Sequence, residues 1–107
     1  MDVLKVSSKS NPNAVAGALA GVIRERGMVE LQVVGAGALN QAVKGVAIAR
    51  GYLAGSHVDL VCIPTFAEVD ISGEWRTAIR LRCEDRNANG VTVDLTAIPE
   101  GVSSPPA

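Results

Sequence analysis

Two stretches of this 107-residue chain have residue types and spacing that could bind phosphate. Gly35-Ala36-Gly37-Ala38-Leu39-Asn40 carries the first two glycines of a G-x-G-x-x-G turn, with Asn40 in the third place. In a dinucleotide fold such a turn lays pyrophosphate on a helix N-terminus, and Asp59 stands roughly where a ribose-binding acid is expected. The parallel strand that this acid should end is missing, and a tight strand-to-helix turn explains the glycines equally well. Arg76, Arg80 and Arg82 alternate along one strand and share a face, which suits phosphate. The same pattern fits a solvated outer face, balanced across a hairpin by acids such as Glu68 and Glu74.

Other reactive side chains stand apart. His57 lies among loop residues with no cysteine, serine or carboxylate pair beside it, so it reads as a solvated loop histidine. Two cysteines and one histidine do not make a four-ligand zinc site. No nucleophile–base pair, acid pair or metal cluster stands out, so the chain reads as non-enzymatic, with no cofactor and no metal.

The elements that must position these residues follow from hydrophobic periodicity. Asp2 to Ser7 reads as a strand. Asn11 is a candidate N-cap with Pro12 at the first helical position, and this helix should stop at Gly27. Its expected core face is Val15, Leu19, Val22 and Ile23. Gly17 and Gly21 inside it each cost about 1 kcal/mol relative to alanine, which close contact with a second helix would explain. Met28 to Val34 is the next strand, and the helix after it should end near Gly51. Leu39, Val43, Val46 and Leu53 are its expected sheet-facing side. Ala38, Ala42, Gly45 and Ala49 form a second line that admits another backbone, and Ile48 beside Lys44 marks an outer face.

Val58 to Ile71 and Glu74 to Glu84 read as a hairpin joined at Ser72-Gly73. A two-residue loop pairs Phe66 with Ile79 and Cys62 with Cys83, placing both cysteines on the helix-covered face. Buried reduced thiols are the simplest reading; a disulfide would need a geometry that sequence does not display. Pro64 makes its strand an edge strand or a bulged one. Val91 to Leu95 could form a short extra strand, followed by a Pro/Ser-rich disordered tail. The domain is thus residues 1–86, with residues 87–107 a C-terminal extension.

Composition narrows the class. Hydrophobic residues make up 48% of the chain, with one each of Phe, Trp and Tyr, so the core must be aliphatic and alanine-rich. There is no apolar run of transmembrane length and no signal-peptide pattern, so a cytoplasmic location with no membrane partner is expected. The net charge is −1, but residues 1–52 carry six basic against three acidic residues and residues 53–107 four against eight. A local basic surface on an acidic chain is therefore allowed. The element order gives an α/β chain of the α+β two-layer kind: β-α-β-α-β-β, one mixed sheet with two helices on one face. The uncovered face calls for solvent or another subunit, so a homodimer or larger oligomer is expected.

Several segments together resemble the stage V sporulation protein S family. They include Lys9-Ser10-Asn11-Pro12-Asn13, Val15-Ala16-Gly17-Ala18-Leu19-Ala20-Gly21, Arg24-Glu25-Arg26-Gly27, Gly35 to Lys44, Ala47-Ile48-Ala49-Arg50-Gly51 and Cys62-Ile63-Pro64. That family is similar in turn to the small Alba chromatin and RNA-binding proteins, which share this element order and form dimers. The resemblance implies an Alba-like fold and a regulatory nucleic-acid-binding role in sporulation, in septation and spore-coat development. Alba proteins place basic residues before the first helix, where this chain has Lys9, and at the start of the second. There it departs, with Gly35, Ala36 and Gly37 in place of an arginine beside glycine and Gln41 where a further basic residue is common. The residues expected to meet nucleic acid are Lys9 and Lys44 for charge, with Asn11, Asn13, Asn40 and Gln41 for hydrogen bonds to backbone oxygens. Lys9 and Lys44 should frame free N–H groups at two helix starts that converge at one edge of the sheet. Two other readings remain: a protein-interaction or assembly component acting through the free sheet face or Ile48, and a nucleotide-binding enzyme using the Gly35–Asn40 turn.

Overall fold

The computed structural model describes residues 1–87. The expected Val91–Leu95 strand and the expected disordered tail lie outside the described residues. Elements run β1 (Val3–Val6), α1 (Pro12–Arg26), β2 (Met28–Val33), α2 (Ala36–Ala54), β3 (Leu60–Ile71) and β4 (Glu74–Asp85). The four strands form one mixed sheet in the order β1-β2-β4-β3. β1 is parallel to β2, while β4 is antiparallel to both β2 and β3. Both helices pack on one face, giving the expected two-layer α+β architecture.

Local chemistry sets the boundaries. Asn11 is the N-cap of α1: its Oδ1 accepts from the Asn13 and Ala14 amides at 2.8 and 3.4 Å. Gly27 ends the helix in the left-handed region at φ 79°, where a residue with a Cβ would be strained. Arg24 and Arg26 in the last turn complement the helix dipole. α2 runs to Ala54, one turn past the expected stop at Gly51. The reason is Leu53, which is fully buried and holds the extra turn against the core. Arg24 also donates to the Tyr52 carbonyl at 3.4 Å, tying that turn to α1.

Strand alternation gives the sheet one apolar face. Val29, Leu31 and Val33 on β2 and Leu81 and Cys83 on β4 point into the core, as does Leu60 on β3. The opposite face carries Glu30, Gln32, Arg80 and Arg82. Ser72 and Gly73 have φ of 51° and 85°, the two positive values of a type I′ hairpin turn, and the register pairs Phe66 with Ile79 and Cys62 with Cys83 as expected. In a two-residue hairpin the closing pair, Ile71 and Glu74, is hydrogen-bonded, and such pairs then alternate. Pro64 is seven residues from Ile71, so it belongs to a non-hydrogen-bonded pair and its missing N–H faces outward. β3 is an edge strand, so this proline costs no ladder bond and removes one donor from an open edge.

The helix faces follow expectation in large part, with Val43, Ile48 and the two α1 glycines as the differences. On α2 the small-residue line Ala38, Ala42, Gly45 and Ala49 is buried together with Val46 and Leu53, whereas Val43 is 53% exposed. Ile48 is half-buried against the core rather than outward. On α1 the buried residues are Ala16, Leu19, Ala20 and Ile23, with Val15 and Val22 partly buried. Gly17 and Gly21 do not touch α2: a Cβ at either would meet no atom within 4 Å. The close approach is made by Gly45, whose Cβ would fall 2.6 Å from Val15 Cγ1. Nothing in the structure explains Gly17 or Gly21. Gly17→Ala is accordingly expected to stabilise the fold by about 0.5–1 kcal/mol through helix propensity alone. A urea midpoint that stays put or falls would show a constraint at that position.

Candidate nucleic-acid interface

The β1–α1 loop and the first turns of α2 meet at one end of the sheet, because β1 and β2 are parallel neighbours and both chains leave it there. The loop is shaped by two serines. Ser10 Oγ accepts from the Ser7 amide at 2.9 Å, Ser7 Oγ accepts from the Lys9 amide at 3.2 Å, and the Ser10 amide donates to the Ser7 carbonyl at 3.1 Å. This closed turn holds Lys9 exposed at its tip. Ser7 and Ser10 were not among the expected site residues. Their signal was a serine on either side of a turn, a position where hydroxyls bond nearby backbone.

α2 grips the loop from its other side. Gln41 Nε2 donates to the Ser10 carbonyl at 2.9 Å, and Asn40 Nδ2 donates to Gln41 Oε1 at 3.3 Å. A Cβ on Gly37 would lie 2.9 Å from Ser8 Cβ, so a glycine is needed for the loop to sit this close. Gly37, Gln41 and Lys44 follow one another at i, i+4 and i+7, so Lys44 shares the face that meets the loop. It lies about 12 Å along α2 from the first residue, and helical side chains lean toward the N-terminus. Lys44 and Asn13 are exposed.

Five of the six expected residues fall into two roles, and the sixth, Asn40, supports Gln41 through its side-chain hydrogen bond. Lys9, Asn13 and Lys44 face solvent with no side-chain partner among the described residues. Asn11 and Gln41 spend polar atoms on the helix cap and the loop latch, and so position the others.

The expectation of free amides at two helix starts needs correction. At α1, Pro12 has no N–H, and the next two amides are taken by Asn11. Only α2 keeps an open end. Its N-cap is Gly35 with φ 89°, which offers no side-chain acceptor, and its first turn has no acidic residue. Gly35, Ala36 and Gly37 are exposed residues, so the positive end of the α2 dipole carries no side-chain cap and no nearby acid.

Charge pairing separates the two cationic candidates. Arg80 lies 3.9 Å from Glu30 and donates to Gln32 Oε1 at 3.2 Å, while Arg82 lies 3.4 Å from Glu84. That face is balanced by neighbours from β2 and β4, not by Glu68 and Glu74 across the hairpin. Arg26 pairs with Asp2, and Arg50 and Arg86 with Asp59. Among the described residues, Lys5, Lys9, Arg24, Lys44 and Arg76 have no acidic partner.

The family model of stage V sporulation protein S (SpoVS) matches residues 2–86. The chain belongs to the SpoVS family. The match spans every strand and helix described above and makes this a sporulation-related protein. In this SpoVS domain no helix among the described residues is long and apolar enough to cross a membrane.

The dinucleotide reading does not survive the SpoVS topology. Asp59 precedes β3, whose start pairs with the end of β4 beside the start of β2, so it lies at the opposite end of the sheet from Gly35. It works there as a clasp. Arg86 Nε and Nη2 both donate to its Oδ2, Arg50 pairs with its Oδ1 at 3.1 Å, and its own amide donates to Asp85 Oδ1 at 2.9 Å. The Arg86 hydrogen bonds first, then the Arg86 charge and the hydrogen bond and charge of Arg50, hold the Asp59 carboxyl below its ordinary value against the opposing effect of burial. A lowered folded-state pKa contributes stability above the unfolded value and loses it as pH falls through the folded one. Stability should therefore drop on acidification below about pH 4. Asp59→Asn should be weaker at neutral pH and show a flatter dependence in that acid window. Urea midpoints measured across pH check this, and parallel curves for the two proteins would remove Asp59 from the account.

Proposed function

We propose that this SpoVS protein is a non-enzymatic regulator that binds nucleic-acid backbone through the β1–α1 loop and the first turns of α2. The observation that carries the reading is the meeting of these two segments, with Lys9 exposed in the loop, Lys44 exposed two turns along α2 from its open end, and neither paired with an acid among the described residues. Phosphate contacts draw on charge and on backbone N–H groups, and both are offered on one surface. Within sporulation, a role in septation and coat development is the finer expectation that goes with the family. The test is a salt-titrated binding assay with duplex DNA and with RNA. Two phosphate contacts on duplex DNA predict a log K against log salt slope of about −2, steeper if Lys5 joins them. Absence of binding at low salt, or binding indifferent to salt, would overturn the reading.

A second reading, self-association of two copies, is favoured by the far part of the β3–β4 hairpin. Phe66 is 80% exposed and Trp75 72%, in a chain with three aromatic residues in all. Large exposed apolar side chains of this kind mark contact surfaces. Light scattering at micromolar concentration should give a mass above the monomer, and Phe66→Ser should reduce it; a monomer mass for the parent would defeat it.

A further inference from the structure

Cys62 and Cys83 lie directly opposite each other on β3 and β4, on the helix-covered face, with their sulfurs 3.7 Å apart. The register decides what kind of pair this is. Cys62 is nine residues from Ile71, so with hydrogen-bonded pairs alternating from the hairpin turn, Cys62 and Cys83 form a non-hydrogen-bonded pair. Such pairs have Cα atoms about 4.5 Å apart, at the close end of the range that a disulfide spans. Side-chain rotation alone can close the remaining gap, without a shift of register.

The two thiols differ in access and in acidity. Cys62 is half-buried, on an edge strand, whereas Cys83 is fully buried. The hydrogen bond shared with Cys83, and then the positive charge of Arg50, bring the Cys62 thiol down to about 7 against the opposing effect of burial. The same hydrogen bond, with burial, pushes the Cys83 thiol up. Cys62 is thus the more accessible and more acidic thiol, and Cys83 the shielded one beside it.

We propose that Cys62 and Cys83 are an oxidation site at which hydrogen peroxide converts two thiols into an intramolecular disulfide. The Cys62 thiolate attacks one peroxide oxygen, the O–O bond breaks, and hydroxide leaves with the proton that Cys62 had released, as water. This leaves a sulfenic acid on Cys62. The Cys83 sulfur then attacks Cys62 Sγ, the S–O bond breaks, and the oxygen leaves as a second water carrying the Cys83 proton. The two thiols lose two electrons and peroxide is reduced to two waters. The bond fastens the edge strand β3 to β4 at the end of the sheet away from the Lys9 loop, so it acts independently of the proposed nucleic-acid surface.

The test uses the full chain, treated with hydrogen peroxide and then measured by intact mass after denaturation and maleimide labelling. Untreated protein should take up two labels when denatured and at most one, on Cys62, when native. Oxidised protein should take up none, be lighter by two hydrogens, yield a peptide linking Cys62 to Cys83, and regain both labels after dithiothreitol. Its melting temperature should be higher than that of the reduced form. In Cys83→Val the sulfenic acid should persist and react with dimedone. Oxygen additions on Cys62 with Cys83 still a free thiol would overturn the proposal, as would disulfide-linked dimers or unchanged labelling. The parent protein alone decides between these outcomes if Cys83→Val does not fold.

Discussion

Gly45→Val is expected to lower the melting temperature by on the order of 15 °C. The position is a crossing point: α1 and α2 approach so closely there that a single added carbon would sit 2.6 Å from Val15 Cγ1, 3.0 Å from Val15 Cβ and 3.5 Å from the Pro12 carbonyl oxygen. Val15 is stiff about χ1 in a helix and is itself packed against the core, so it cannot simply swing aside. The added side chain must push the helices apart. Overpacking of this kind costs about 3 kcal/mol, and in a domain of this size each kcal/mol moves the midpoint by about 4–8 °C. Gly45→Ala should cost less, because about 1 kcal/mol of helix propensity offsets part of the clash. The decisive measurement is a double-mutant cycle. Val15→Ala alone loses a buried branch, yet combined with Gly45→Ala it should recover most of the loss, with a coupling of about 1 kcal/mol or more. Additive effects would mean that the two side chains do not compete for one space.

The contrast with Gly17 shows where sequence reading worked and where it did not. The strands were legible because alternation has a period of two and the hairpin loop leaves one register; from Ser72-Gly73 alone, Cys62 falls opposite Cys83. The α1 start was legible because Asn11-Pro12 is local chemistry. The helix faces were legible in part: the α1 face and the small-residue line of α2 lie where expected, but almost every side of α2 carries alanine, glycine or valine, so hydrophobic contrast there is low. Val43 looked like core because it recurs at helical spacing with Leu39, Val46 and Leu53, but the buried side of α2 is turned toward the small-residue line, where it packs closely against α1. The same argument applied to α1 picked the wrong glycines, because a glycine pair signals close approach only if the partner helix lies on that side. At the candidate interface Lys9 and Lys44 were visible as charges in suitable segments. The latch from Gln41 to the Ser10 carbonyl was not, since it joins residues 31 apart in sequence and exists only once the helices have docked.

The Lys9→Ala, Lys44→Ala double variant is expected to bind duplex DNA about 30-fold more weakly at 0.15 M salt, with a salt slope shallower by about 2. Each phosphate contact contributes about 0.9 to the slope, and two such contacts referred to 1 M salt give roughly that loss. The loss should be similar for every sequence tried, because phosphate contacts carry no base information. Folding should be unchanged, since both side chains are exposed and neither bonds to the described residues. The loop itself should keep its shape, because it is held by Ser7, Ser10, Asn11 and Gln41 rather than by the lysines. Arg80→Ala is the matched control. It removes a charge already engaged by Gln32 and Glu30 on the opposite face of the sheet, and should leave the slope where it was. If the parent binds with a steep salt dependence and the double variant does the same, the nucleic-acid reading stands and this surface is wrong. Attention would then move to Arg76 on the hairpin, which has no acidic partner among the described residues. If the parent shows no salt-dependent binding at all, the functional reading itself fails, and the exposed Phe66 and Trp75 make self-association the reading to pursue.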